Sequence, residues 1–160
     1  MSENLVHTVR AGTIEMEYAR IGSGPKPLIV IPGLSIKSVM KSAASLEGPF
    51  KIFKEKYTLY FFDRKKDAKP GYSLPEMADD QVAALKALGI EKADIYGVSQ
   101  GGMIAQYMAV RNPEVVNKLV LGSSTSKAEP RQITTIQNWA RLARSRETTT
   151  LVNSFIDDCF

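Results

Sequence analysis

The stretch IYGVSQGGM, residues 95–103, contains the pattern Gly97-x-Ser99-x-Gly101, which is typical of a sharp turn from a strand into a helix. A serine in a sharp turn between a strand and a helix is held in a strained backbone conformation. Small residues must then lie on both sides of it, because the strand and the helix approach closely. Gly97, Gly101 and Gly102 meet this requirement. The pattern therefore predicts a turn that presents the Ser99 hydroxyl as a candidate nucleophile.

The segments around this turn alternate between predicted strands and predicted helices. Continuous apolar runs, typical of strands covered on both faces, occur at 27–31, 57–62, 93–98 and 118–121. Helical patterns occur at 74–88, after a capping box at Ser73 and Glu76 and before Gly89, and at 100–112, before Pro113. Strands separated by helices predict a parallel sheet.

Residues at the two ends of the chain have a different character. Alternating apolar positions at 5–10 and 13–20 predict a hairpin that forms an antiparallel edge of the sheet. Residues 130–160 show amphipathic helical periodicity and no strand pattern. At 160 residues the chain is long enough to bury a substantial core in one compact α/β unit.

Composition argues against several classes of partner. Twenty-one basic and seventeen acidic residues leave a diffuse charge of +4, and no aromatic residues interleave with the basic clusters, so we expect no nucleic-acid partner. The first residues, MSENLVHTVRAGTIEMEY, lack the apolar core of a signal peptide, and no apolar run approaches about twenty residues, so we expect no membrane association. The single cysteine, Cys159, cannot form an internal disulfide. This usage suits a reducing compartment and predicts a cytoplasmic location.

Three groups of segments together resemble the α/β-hydrolase superfamily, in its lipase-like, carboxylesterase and lactonase branch. The first is VIPGL at 30–34, which is similar to the family's oxyanion segment. The second is FDR at 62–64 followed by GYS at 71–73, which is similar to the turn after the next strand. The third is the serine turn followed by RNPEVVNKLVL at 111–121. The chain therefore resembles the N-terminal part of this superfamily over nearly its whole length.

The resemblance implies site residues and a fold. Ser99 would be the nucleophile, and the backbone N–H groups of Leu34 and Gln100 would form the oxyanion hole. The implied fold is an incomplete α/β hydrolase, a three-layer sandwich around a mostly parallel six-stranded sheet. Two departures from the family pattern are Pro32, where many relatives carry histidine, and a longer charged loop at 65–70.

The catalytic acid and base of the family have no obvious counterpart here. In this superfamily the order along the chain is serine, acid, histidine, yet His7 is the only histidine and it precedes Ser99. We expect His7 to be an ordinary residue on a distant edge strand. The segment at 122–126, where some relatives place the acid, has no carboxylate. Asp157 and Asp158 lie in the terminal helical segment and are expected to face solvent.

These observations predict two domains: a hydrolase core at 1–128 and the start of a helical cap at 129–160, within which the chain would be truncated. Such a sheet would end at its sixth strand, leaving an exposed parallel edge through which the chain could self-associate.

The expected function is that of a serine hydrolase acting on a small ester, lactone or similar acyl substrate without metal or cofactor. Its activity would be impaired because the acid and the histidine are absent. Two alternatives stay open. The chain could be a non-catalytic module that binds a small molecule in the hydrolase pocket, or its fold could be completed by a second chain.

Overall fold

A computed structural model of the chain describes residues 5–35 and 37–159. The ends of the two predicted domains, at residues 1 and 160, lie outside the described residues, as does the side chain of Cys159. The elements are β1 (Val6–Ala11), β2 (Ile14–Ile21), β3 (Lys26–Ile31), α1 (Ala43–Phe50), β4 (Tyr57–Phe62), α2 (Leu74–Ala87), β5 (Ala93–Val98), α3 (Gln100–Arg111), β6 (Val116–Gly122), α4 (Pro130–Arg144) and α5 (Thr148–Cys159).

The six strands form one sheet in the order β1-β2-β4-β3-β5-β6. The β1–β2 and β2–β4 pairings are antiparallel, whereas β3 pairs in parallel with both β4 and β5, and β5 pairs in parallel with β6. The predicted mostly parallel sheet with an antiparallel hairpin at its edge is therefore confirmed. At the tip of that hairpin Gly12 adopts a φ of 58°, a conformation that glycine reaches without strain.

Helices cover both faces of the sheet, which gives the predicted three-layer arrangement. Side chains alternate between the faces along β3: Ile29 and Ile31 pack into the core under α2 and α3, whereas Val30 packs on the side of α1. The first core includes Leu85 and Ile104 from the helices, and both are fully buried. The sheet is thus closed to solvent over its central strands.

The helix α1 is an element that sequence patterning did not delimit. It contains Pro49 and is followed by a 3₁₀ turn at Lys51–Phe53. The neighbouring residues Gly48 and Pro49 form a dipeptide that is typical of turns. The structure nevertheless holds these residues in a helix, because Ala43 and the half-buried Leu46 and Phe50 pack against the sheet.

The prediction that residues 118–121 form a strand buried on both faces is wrong. The strand β6 lies at the edge of the sheet, and within the described residues it pairs with β5 alone. Val120 is 56% exposed and Leu121 is 44% exposed. An apolar run cannot by itself reveal whether a neighbouring element covers it, and this is why the prediction failed.

The described chain divides into two compact units, Met1–Thr125 and Ser126–Phe160. The second unit consists of α4 and α5. The Trp139 ring lies 4.8 Å from that of Phe155, and the indole N–H donates to Ser154 and Asp158 at 3.2 Å. These contacts join the two helices into a hairpin. Among the described residues, no helix combines the length and the apolar composition needed to cross a membrane.

Candidate active site

The strand order brings three loops to one rim of the sheet. In the order β4-β3-β5, the three neighbouring strands run in parallel, so their carboxyl ends lie at the same edge. Residues following Phe62, Ile31 and Val98 therefore meet there. In open α/β sheets, ligands bind outside the carboxyl ends of the strands. The predicted nucleophile and the predicted oxyanion segment both belong to this rim.

Ser99 occupies the strained turn that the sequence pattern predicts. It lies directly between β5 and α3 with φ 53° and ψ −122°, a region that residues with a side chain rarely adopt. The residue is exposed, so its hydroxyl is accessible. The helix α3 begins at the next residue, Gln100, and the first N–H groups of a helix have no partner within it. This geometry places a hydroxyl beside the first backbone N–H groups of a helix.

The three glycines of the turn allow the close approach that the pattern implies. A Cβ atom on Gly97 would lie 2.5 Å from the carbonyl oxygen of Gly101, and a Cβ on Gly101 would overlap the end of β3 at Ile31. A Cβ on Gly102 would overlap the Ser124 side chain. Each position therefore excludes a side chain for steric reasons, as expected from the sequence.

The predicted oxyanion segment lies against the serine. A Cβ atom on Gly33 would lie 3.1 Å from the Ser99 Cβ and 3.6 Å from the Ser99 Oγ. The following residue, Leu34, is 67% exposed, so its side chain is not held in the core. The structure brings the two segments of the predicted oxyanion hole together, while the roles of the Leu34 and Gln100 N–H groups stay predictions.

The segment after β6 supports the turn from its other side. The Ser99 N–H donates to the Gly122 carbonyl at 2.9 Å. The Ser124 hydroxyl donates to the Ser99 carbonyl at 2.8 Å. Both backbone groups of the strained residue are therefore hydrogen-bonded to the end of β6 and the loop that follows it. Residues 122–126 contain no carboxylate, as the sequence shows, and their support of the serine turn leaves no local sequence pattern.

Arg64 is a second residue of the rim whose role the sequence analysis missed. Its Nη2 donates to the Pro32 carbonyl at 2.8 Å and to the Gln100 Oε1 at 3.0 Å. Burial lowers the pKa of the Arg64 guanidinium, while the neighbouring Asp63 acts in the opposite direction. The sequence contained a signal for it, since Arg64 is the second residue after β4, the strand that pairs with β3 and so neighbours the oxyanion segment.

The charged loop after Arg64 is fixed by its own contacts. Lys65 pairs with Asp80 at 2.9 Å and lies 4.3 Å from the centre of the Tyr72 ring. The Tyr72 hydroxyl donates to Asp80 at 2.6 Å. Burial, followed by this hydrogen bond, raises the pKa of Tyr72. The three side chains therefore tie the loop to α2.

His7 lies far from the rim, as expected. It belongs to β1, which is separated from β5 by β2, β4 and β3. Four steps between neighbouring strands correspond to about 19 Å. The His7 ring contacts the Tyr18 ring, with 5.3 Å between their centres.

Asp157 and Asp158 are exposed on α5, as predicted. Among the residues whose side chains are described, no cluster of three or more His, Cys, Asp or Glu could hold a metal ion.

The architecture and the strained serine turn define a hydrolase-like α/β core, and comparisons with known proteins agree. A family model described as the alpha/beta hydrolase fold matches residues 57–158. The chain belongs to the α/β-hydrolase family.

The curated relatives that the chain resembles include a lactonase and a semialdehyde hydrolase. It is 22% identical over 125 residues to 3-oxoadipate enol-lactonase 2 of Acinetobacter baylyi, a match that covers 75% of this chain and 45% of the lactonase. It is 39% identical over 70 residues to 2-hydroxymuconate semialdehyde hydrolase of Pseudomonas putida, covering 44% of this chain and 24% of that enzyme. The chain thus spans less than half the length of these relatives.

Solved structures support the same fold. A hydrolase from Pseudomonas aeruginosa is 19% identical with a TM-score of 0.70, and the match covers 89% of this chain and 54% of the other. A meta-cleavage product hydrolase from Pseudomonas fluorescens is 23% identical with a TM-score of 0.67, covering 78% and 47% respectively. The incomplete α/β-hydrolase fold expected from the sequence is confirmed.

Proposed function

We propose that this chain carries the nucleophile and the oxyanion hole of a serine hydrolase that acts on a small ester, lactone or similar acyl compound. The observation that supports this most directly is the backbone of Ser99, strained at φ 53° and packed against Gly33. Such strain persists only where the surrounding structure imposes it, and it is concentrated at functional sites. The names of the lactonase and the semialdehyde hydrolase suggest the size and class of substrate.

In the proposed reaction, the Ser99 oxygen attacks the substrate carbonyl, and the acyl C–O bond of the ester or lactone breaks, so that its alcohol oxygen leaves and an acyl-enzyme remains. Water then hydrolyses the acyl-enzyme to a carboxylic acid and restores the Ser99 hydroxyl. The negative charge that develops on the carbonyl oxygen would be stabilised by the N–H groups of Leu34 and Gln100. Donors of this kind act strongly because they are oriented before the reaction begins. A general base must accept the serine proton, and His7 lies too far away across the sheet to do so. We therefore infer that these 160 residues alone attack slowly and turn over poorly.

A fluorophosphonate probe tests the nucleophile directly. We expect slow modification of one residue, identified as Ser99 by mass spectrometry, and no modification of a Ser99→Ala variant. His7→Ala is a matched control and should react at the unchanged rate. Equal labelling of the Ser99→Ala variant would refute the proposed nucleophile. Rapid multiple turnover of an ester substrate by the chain alone would refute the inference that it lacks an effective base.

The cap and the sheet edge form two further parts of the proposal. We propose that α4 and α5 begin a helical cap.

We also propose that β6, with Val120 and Leu121 exposed, allows two copies of the chain to associate edge to edge. Light scattering after size exclusion should give a mass above that of the monomer, and Val120→Lys should lower it. A monomeric mass at all concentrations would contradict the association.

A further inference from the structure

Arg64 joins the two backbone segments that would form the oxyanion hole. A single atom, Nη2, donates to the Pro32 carbonyl at 2.8 Å and to the Gln100 side chain at 3.0 Å. Pro32 lies two residues before Leu34, and Gln100 carries the other proposed N–H donor. The separation between the two donors therefore depends on a bridge through one nitrogen atom.

The backbone that presents Arg64 is fixed on both sides. The Asp63 N–H donates to the Glu17 carbonyl and the Lys66 N–H to the Glu15 carbonyl, each at 2.9 Å. The Arg64 N–H donates to the Asp63 carboxylate at 2.8 Å. The bonds to Glu15 and Glu17 continue the attachment of the chain to β2 beyond the end of β4. A side chain that starts from a fixed backbone can hold its two acceptors at a defined spacing.

The burial of Arg64 indicates that this position is maintained at a cost. Among the described residues, its Nε and Nη1 atoms are buried and have no hydrogen-bond partner. A buried donor without a partner destabilises the folded state, and a buried charge does so more strongly. An apolar side chain could fill the space without that cost. It could not, however, bind the Pro32 carbonyl and the Gln100 amide together.

We propose that Arg64 is a positioning residue, which sets the spacing of the Leu34 and Gln100 N–H donors by bridging Pro32 to the Gln100 side chain. This inference rests on the proposed function of Ser99. Arg64 acts through its two acceptors and does not itself touch the reacting atoms. Because one misplaced donor weakens transition-state stabilisation, loss of the bridge slows attack by Ser99.

The test compares rates of fluorophosphonate labelling of Ser99 in folded variants. Arg64→Met removes both hydrogen bonds of the bridge, and Gln100→Met removes the one to the Gln100 side chain. Each should lower the second-order rate constant about tenfold or more. The double variant should react no more slowly than the slower single variant, because both changes remove the same interaction. Arg64→Lys, which retains a nitrogen donor, should recover part of the rate. Arg111→Met, at the far end of α3, is the matched loss of one positive charge and should leave the rate unchanged.

A second measurement separates positioning from general destabilisation. Backbone hydrogen exchange at residues 33–35 should become faster in Arg64→Met and Gln100→Met, with exchange in β4 unchanged. If Arg64→Met does not fold, the labelling and exchange rates of Gln100→Met and Arg64→Lys are compared with those of the wild type instead. Unchanged labelling and exchange in the folded variants, or multiplicative rate losses in the double variant, would overturn the inference. Labelling that persists in Ser99→Ala would instead reject the proposed function, which makes the two failures distinguishable.

Discussion

Gly101 and Ile31 approach each other so closely that a Cβ atom on the glycine would overlap the carbonyl oxygen of the isoleucine. At Gly101 the start of α3 therefore packs directly against the backbone at the end of β3. This contact holds the serine turn beside the predicted oxyanion segment. A substitution at Gly101 consequently tests the geometry of the rim independently of any reaction.

The first prediction is that Gly101→Ala destabilises the fold by about 2 kcal/mol or more, because the added methyl group forces β3 and α3 apart. Urea denaturation measures the change. The matched control is Gly89→Ala, where φ is 71° but the site is open. That substitution should cost only the backbone strain of about 1 kcal/mol. An equal effect at both positions would show that the contact with Ile31 is unimportant.

The second prediction concerns strain at Ser99. Replacing it by glycine relieves the strain at φ 53°, whereas replacing it by alanine does not. Both variants lose the hydroxyl, so their difference isolates the backbone. We expect Ser99→Gly to be more stable than Ser99→Ala by about 1 kcal/mol, measured by denaturant unfolding. The opposite order of stabilities would contradict the strained turn.

The third prediction concerns the capping box of α2. The Glu76 N–H donates to the Ser73 hydroxyl, and the Glu76 carboxylate accepts from the Ser73 hydroxyl and N–H. Ser73→Ala should destabilise the fold by about 1 kcal/mol at neutral pH. The capping box was predicted from sequence, and its geometry is confirmed. A change near zero in the urea midpoint would show that the cap contributes nothing.

The same capping box predicts a dependence on pH. The hydrogen bonds from Ser73 lower the pKa of Glu76 below its ordinary value of 4.5. A lowered pKa in the folded state means that the carboxylate stabilises the fold above pH 4.5 and loses this contribution as the pH falls through the folded-state pKa. Urea midpoints between pH 7 and pH 3 should therefore fall less steeply in Glu76→Gln than in the wild type. Parallel profiles for the two proteins would contradict this expectation.

The fourth prediction concerns a buried carboxylate that joins three strands. Asp94 on β5 accepts from Tyr57 on β4 at 3.0 Å and from Asn117 on β6 at 2.6 Å. Asp94→Ala leaves both donors without their partner and should destabilise the fold by about 2 kcal/mol. Tyr57→Phe removes only one bond and should cost about 1 kcal/mol in the same denaturation assay. A larger loss in Tyr57→Phe would show that the carboxylate is not the centre of the network.

The sequence predicted those features that depend on local patterns. The serine turn, the capping box at Ser73 and the central strands each leave a signature in neighbouring residues. The contacts of Arg64 and Asp94 were missed because their partners, such as Gln100 and Asn117, lie far away in sequence, so no local pattern records which groups meet. The exposure of the Val120 side chain was missed for a related reason, since an apolar run does not reveal whether another element covers the faces of its strand.

The placement of β3 between β4 and β5 has a consequence for how the chain folds. Ile31 pairs with Gly97, so the two strands that carry the rim join only after a long intervening segment has closed into a loop. Pairings this distant in sequence form slowly, whereas the β1–β2 hairpin can form early. A refolding chain should thus regain its hairpin before Ser99 becomes reactive. The rate at which fluorophosphonate labelling of Ser99 returns would then measure the rate of the last stage of sheet assembly.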